Sequence, residues 1–346
     1  MKTLLNKQQL KSAGIRVAGT LAIPVIVIAV LFIACAAGGK NMFPYDISFT
    51  NFIRGILTLM LTTIALSINL GSGRFDFSLG AMALLSSVIG AQIVMQTGGG
   101  AWVMLLFCLL SGAVLGAASG GLYVLLKLPP IITSLGVTLL YEGIAFAITG
   151  GANMRLLGTD TDSITNSVAI MIVFIVLFLA IIYFVFDNTK FGYNYKALKE
   201  GQKVSVNTGI KEIPNAIVCY TITGVLMSVV GFLNNTFTGT IQVSGLNFGS
   251  IGIMFGAFLP MFIGGFIGRF SNDKLGYFLA AVTMTLFSMM YSAFSLTNSV
   301  QSIISAVLLV LFLIYLSNEK LIKDIFTGKH LRDYLKRKKT PAGAEG

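Results

Sequence analysis

Side chains able to do chemistry fall in four places along this chain. Glu142 stands in a stretch that carries no other charge from Pro129 through Met154. An acidic residue at the centre of a membrane helix costs about 3 kcal/mol on insertion scales, so it should face protein or water rather than lipid. It could contact a solute or ion, pair with a polar group on another helix, or be protonated and merely tolerated. The second place is Gly73-Arg74-Phe75-Asp76-Phe77-Ser78-Leu79-Gly80. A carboxylate or hydroxyl ahead of an apolar run suits the positive end of a helix dipole, so Asp76 or Ser78 is expected to cap the following helix. The turn reads either as that cap alone or as part of a gate at one membrane face.

The third place is the loop 187–215, where Lys190, Lys196, Lys199, Lys203 and Lys211 accompany Glu200 and Glu212. Inside it, Gly201-Gln202-Lys203-Val204-Ser205-Val206-Asn207-Thr208-Gly209-Ile210 reads as a brief helix ended by Gly209. Such an element, parallel to the membrane, suits docking to a soluble partner; the plain alternative is a solvated loop. Fourth, Asn234, Asn235 and Thr236 gather polar groups near the end of an apolar run. They either line a route for a hydroxyl-rich solute or sit in interfacial water.

The same inventory excludes other chemistry. The single histidine, His330, lies in a basic tail, which excludes an intramembrane Ser/His hydrolase and a His-based metal site. Cys35, Cys108 and Cys219 fall in apolar runs without metal-ligand spacing and read as small packing residues. No nucleophile has a base partner, so no catalytic residue and no metal site is expected.

The elements that must hold these residues are membrane helices. The chain has 346 residues, 55% of them hydrophobic and 11% charged, with a mean hydropathy of +0.85. A soluble protein carries about 25% charged residues. Apolar runs of about twenty residues recur throughout, which makes this a polytopic, all-α integral membrane protein. Ten spans are expected, at 17–37, 54–72, 78–97, 101–126, 131–150, 166–186, 216–238, 249–268, 276–295 and 300–317. Pro260 with Gly256, Gly264, Gly265 and Gly268 predicts a broken eighth span. Gly112, Gly116 and Gly120 form a small-residue ridge on the fourth. The first apolar run exceeds a signal core of about 7–15 residues and is expected to remain as a helix.

Of the 24 Lys and Arg, only Lys40, Arg54 and Arg155 fall outside or at the outer edge when residue 1 is placed in the cytoplasm. The positive-inside rule then puts both termini in the cytoplasm. Residues 1–16 form the N-terminal segment, 17–317 the spanning domain with its loop 187–215, and 318–346 a basic tail. The net charge of +11 therefore reads as topology and not as nucleic-acid binding.

The sequence resembles the permease subunits of bacterial ABC importers for monosaccharides, the ribose permease family. Gly73–Gly80 is similar to that family's G-x-x-D-[LF]-S-x-G signature, with Arg74 at a variable place. Gly121–Gly136, with Lys127 and Pro129-Pro130, and Thr189-Lys190-Phe191-Gly192 extend the likeness, as does Thr208-Gly209-Ile210 where the family usually has S-G-I. Together they cover about residues 50–317. There are departures: Lys203-Val204-Ser205 stands where the family usually has E-A-A, Glu142 where many relatives have Arg, and 257–265 keeps only part of a glycine-rich pattern.

The resemblance implies a type II importer architecture in the bacterial cytoplasmic membrane. Two permease subunits, alike or different, would form the path with two ABC ATPases and an extracytoplasmic binding protein. Residues 200–212 would be the coupling element, and Gly73, Asp76, Ser78 and Gly80 the cytoplasmic-side turn. No Walker A pattern occurs here, so ATP and Mg would be bound by the separate ATPase. The expected solute is a monosaccharide. The alternatives are a nucleoside, a signalling sugar, a sugar alcohol, or ion-coupled secondary transport through Glu142, in which case Glu142→Gln would flatten the pH dependence of uptake.

Overall fold

A computed structural model describes residues 2–243 and 245–319. In chain order it contains α1 (Lys2–Ala37), α2 (Asp46–Gly71), α3 (Leu79–Thr97), α4 (Ala101–Leu126) and α5 (Pro130–Thr149). A two-residue strand β1 (Met154–Arg155) precedes α6 (Val168–Asn188), α7 (Lys190–Glu200), α8 (Gln202–Asn207) and α9 (Glu212–Thr238). Strand β2 (Thr240–Ile241) pairs antiparallel with β1, and α10 (Ile251–Phe255), α11 (Phe258–Gly268), α12 (Asp273–Ala293) and α13 (Asn298–Ser317) follow. Among the described residues, ten stretches are long and apolar enough to cross a membrane, α10 and α11 together making one. Residues 1–295 form one compact unit, and a second unit, which contains α13, begins at Leu296. The basic tail from Lys320, with His330, lies outside the described residues.

The spans fall where the apolar runs predict, with two instructive shifts. The second begins at Asp46 instead of 54, which places Arg54 two turns inside a helix rather than at its edge. Its guanidinium is accommodated over the Phe237 ring, 3.0 Å from the centroid, and donates to Asn51 Oδ1 at 3.1 Å. The 187–215 segment is not a loop but a pair of helices, α7 and α8. Thr189 Oγ1 accepts the Gly192 N–H and caps α7, a signal overlooked in the lysine-rich composition.

α9 is buried on nearly every side and organises the first unit. Gly112, Gly116 and Gly120 form the flat ridge against which it lies. A Cβ on Gly116 would stand 2.3 Å from the Tyr220 carbonyl oxygen, so only glycine permits this helix spacing. α6, by contrast, buries one stripe, Met171, Phe174, Ile175, Ile182 and Phe186, and leaves the rest for lipid. Pro130 opens α5 at its first turn, where a missing N–H costs nothing, after Lys127 closes α4 in a left-handed conformation. The eighth span breaks at Gly256–Ala257, as its glycines and Pro260 lead one to expect. The three cysteines are buried and unpaired.

Alternating helix directions give the first unit two ends. One carries the turns 72–78, 127–129, 188–211 and 269–272, and with them most of the loop lysines and arginines. The other carries 38–45, 98–100, 150–167 and the start of 239–250, with Lys40 and Arg155.

Candidate functional site

The turn between α2 and α3 is built from both sides. Gly73, at φ +74°, closes α2: the Arg74 N–H reaches the Asn69 carbonyl at 2.9 Å and the Gly73 N–H the Leu70 carbonyl at 3.0 Å. This is a Schellman stop, and it needs the left-handed residue that glycine supplies. Asp76 then opens α3. Its Oδ1 accepts the Ser78 N–H at 2.9 Å and the Ser78 hydroxyl at 2.6 Å, while Oδ2 accepts from Asn69 Nδ2 at 2.9 Å. Ser78 makes no side-chain cap of its own, because its hydroxyl donates to Asp76. Asn69 also donates to Thr223 Oγ1 on α9 at 3.2 Å, so the turn is tied to the central helix. Burial raises the Asp76 carboxyl to about 6, against the opposing pull of the Ser78 and Asn69 hydrogen bonds.

Above this turn lies a cavity of about 360 Å³. Its walls are Ala83 and Leu84 of α3, Glu142 of α5, Gly231, Asn234, Asn235 and Thr238 of α9, Ile253 of α10, and the segment Thr240–Ser250 through Thr240, Gln242, Gly245, Asn247, Gly249 and Ser250. That segment starts at the β1–β2 pair, where the Val243 N–H donates to Asn153 Oδ1 at 3.2 Å, and descends into the bundle. Glu142 holds its lower end. Oε2 accepts the Phe248 N–H at 3.0 Å, and Oε1 accepts the Ser250 N–H at 3.0 Å and the Ser250 hydroxyl at 2.6 Å. Phe248 sits at φ +60°, a costly conformation for a bulky residue, and the carboxylate sustains it. Glu142 is 1% exposed. It therefore pairs with polar groups of another element while also lining the cavity.

Gly80 joins the two constructions. A Cβ there would stand 1.8 Å from the Ser250 carbonyl oxygen, so the residue that ends the turn signature is the seat of the cavity wall. Phe75 stacks on Phe258 and Phe77 lies against Phe255, which sets the turn against the break between α10 and α11.

At the basic end, α7 docks on α2 through the Tyr195 hydroxyl, which donates to the Ile68 carbonyl at 3.0 Å. α8 folds back on α7 through the Ser205 hydroxyl, 2.7 Å from the Ala197 carbonyl oxygen. Ser205 is the buried residue of α8; Gln202, Lys203, Val204, Val206 and Asn207 are exposed, as are Thr208 and Gly209. Asp187 receives Lys196, Lys274 at 3.0 Å and Asn272 at 3.4 Å, joining α6, α7 and the start of α12.

Residues 48–313 match the family described as "Branched-chain amino acid transport system / permease component". The chain belongs to this family. It is a multi-pass membrane protein of this permease-component family. It is similar to the autoinducer 2 import system permease protein of Yersinia pseudotuberculosis serotype O:1b, with 25% identity over 213 residues, 60% of each chain. The same identity and coverage hold for that of serotype O:3 and for the corresponding Yersinia pestis protein. The alignments thus span 60% of the length of these relatives. No solved structure matches.

Within this permease the expected residues are partly brought together. Glu142, Asn234 and Asn235 share the cavity, whereas Thr236 does not line it. Its hydroxyl donates to the Phe232 carbonyl at 2.7 Å, and it lies about 200° round the helix from Asn234, on the packed side. Asn235 Nδ2 donates to Ser87 on α3 at 2.7 Å, so one amide braces the wall. Glu200 ends α7 and Gly201 links it to α8, so the 200–209 stretch spans two helices instead of one. Gln242, Asn247 and Ser250 were not singled out in the sequence. Their one signal was a polar, glycine-punctuated run between two apolar spans.

Proposed function

We propose that this permease is the membrane-spanning subunit of an ATP-driven importer for a small, neutral, hydroxyl-rich solute of the monosaccharide class. The observation that carries this reading is the lining of the cavity. Among its described residues Glu142 is the one ionisable group, and its carboxylate is engaged by Phe248 and Ser250. Beside the aliphatic Ala83, Leu84 and Ile253, the cavity's other polar groups are the amides and hydroxyls of Asn234, Asn235, Thr238, Thr240, Gln242 and Asn247. Such groups offer donors and acceptors together, as sugar hydroxyls require. An amino acid would bring a carboxylate with no cation to meet it, and burying an unpaired charge is costly. The volume falls within the range of about 300–1,000 Å³ usual for small-molecule sites.

The segregated basic loops support placing the 188–211 end in the cytoplasm. α8, with Val204 and Val206 exposed, then serves as the contact for two ATPase subunits that bind ATP and Mg. A second permease subunit, of the same or another kind, completes the path, and an extracytoplasmic binding protein delivers the solute. Autoinducer 2 import, for which the Yersinia relatives are named, favours the signalling-solute alternative as a second reading.

The test is uptake by cells expressing the chain with its copurifying ATPase and binding protein. D-Ribose accumulation should survive a protonophore, stop on ATP depletion and resist competition by leucine. Competition by leucine but not by other sugars would overturn the substrate class, and uptake without ATP would overturn the mechanism.

A further inference from the structure

Arg74 is 3% exposed, and its Nε and Nη1 are buried without a hydrogen-bond partner. Its ion-pair partner is Glu212, with Nη2 3.6 Å from Oε1, beyond hydrogen-bond length. Among the described residues, the guanidinium's one hydrogen-bond contact is with the Cys219 thiol, a weak acceptor. A buried five-donor cation left so poorly matched is unusual, since buried charges are normally both paired and hydrogen-bonded. Glu212 explains why the pair stays open. The same Oε1 accepts Gln202 Nε2 at 2.6 Å, and Gln202 is the first residue of α8. The Gln202 bond thus tethers the Glu212 carboxylate to the coupling helix while the pair with Arg74 stays open.

We propose that Glu212 is a two-position relay, held by Gln202 here and passing onto the Arg74 fork when α8 shifts. Closing the gap to a charge-assisted hydrogen bond requires a movement of only about 0.8 Å. The transfer gives the guanidinium a charge-assisted hydrogen bond in place of a long ion pair and pulls on the turn that carries Asp76. From there the path is direct, because Gly80 abuts the Ser250 carbonyl and Ser250 is held by Glu142 at the cavity wall. Arg74 and Glu212 are positioning residues; neither lines the cavity. The inference rests on the proposed role of α8 as the motor contact.

Two measurements test it. The first is a melting cycle on the full chain in detergent, with Gln202→Leu, Arg74→Met and the double variant. Gln202→Leu frees Glu212 for Arg74 and should raise the melting temperature by a few degrees, and that gain should vanish in the Arg74→Met background. A lowered or unchanged melting temperature, or a gain that persists without Arg74, overturns the relay. The second compares solute moved with ATP hydrolysed, using D-ribose and the permease assembled with its ATPase and binding protein. Arg74→Met should melt no lower than wild type, because an apolar side chain of similar length replaces an unmatched buried cation. It should hydrolyse ATP at the wild-type rate yet carry about tenfold less sugar per ATP. Unchanged stoichiometry, or a parallel loss of hydrolysis and uptake, overturns the relay. Failure of the wild type to show ATP-driven uptake would instead count against the functional reading, while the melting cycle still decides the pairing.

Discussion

Asp76 and Glu142 are buried carboxylates with matching donor sets gathered over different distances. Each receives an N–H and a hydroxyl from a single serine on one oxygen and one further N–H on the other. For Asp76 the donors are two and seven residues away. For Glu142 they are 106 and 108 residues away. The near set needs only a turn to form and so determines where two helices stop and start. The far set forms only once α5, α9 and the descending segment are assembled, and it determines the shape of a cavity. Similar chemistry thus makes a boundary in one place and a cavity wall in the other.

The sharpest break in this comparison is at Gly80, where the two sets meet. Gly80→Val puts side-chain atoms where the Ser250 carbonyl lies, and the overpacking should cost about 3 kcal/mol or more. Thermal unfolding in detergent should show it as a large drop, accompanied by loss of uptake. Next is Glu142→Ala, which orphans three donors at about 1–3 kcal/mol each. Glu142→Gln should recover part of that loss, and the remaining defect should appear in uptake more than in the amount of folded protein.

Asp76→Asn comes third, because it points an amide donor at either Ser78 or Asn69, a loss of about 1–3 kcal/mol. It also carries a pH signature. The folded carboxyl titrates near 6 against an ordinary 3.8, so the folded state holds the proton more tightly. Its contribution is full below about pH 4, is lost as pH rises through about 6, and is level above that. Wild-type melting temperatures between those values should decline with pH, and the Asp76→Asn profile should lack that component. The smallest effects are Ser78→Ala and Ser250→Ala, each removing one hydroxyl bond, about 0.5–1.5 kcal/mol. Ser78→Ala should affect stability and Ser250→Ala uptake; equal effects on both readouts would erase the distinction drawn here.

Much of the fold was legible because lipid punishes polar backbone and charge so heavily that spans announce themselves as apolar runs. The turn was legible because Gly73, Asp76 and Ser78 act on neighbours. Arg54 misled because a charge ordinarily marks a helix edge, and Phe237, which accommodates it, lies far along the chain. Thr236 misled because three consecutive polar residues cannot all share one helix face.

Composition and local spacing were enough to establish ten membrane spans, a Gly73-to-Gly80 turn, a broken eighth span and a short helix ended by Gly209. These depend on interactions a few residues long or on the solvent each stretch can tolerate. Only the tertiary structure decided that Glu142 grips Phe248 and Ser250, that Asn234 and Asn235 share its cavity, and that Glu212 stands between Gln202 and Arg74. Those partners lie on different helices, and which helix faces which is set by packing, such as the Gly116 ridge against α9, that no local stretch of residues encodes by itself.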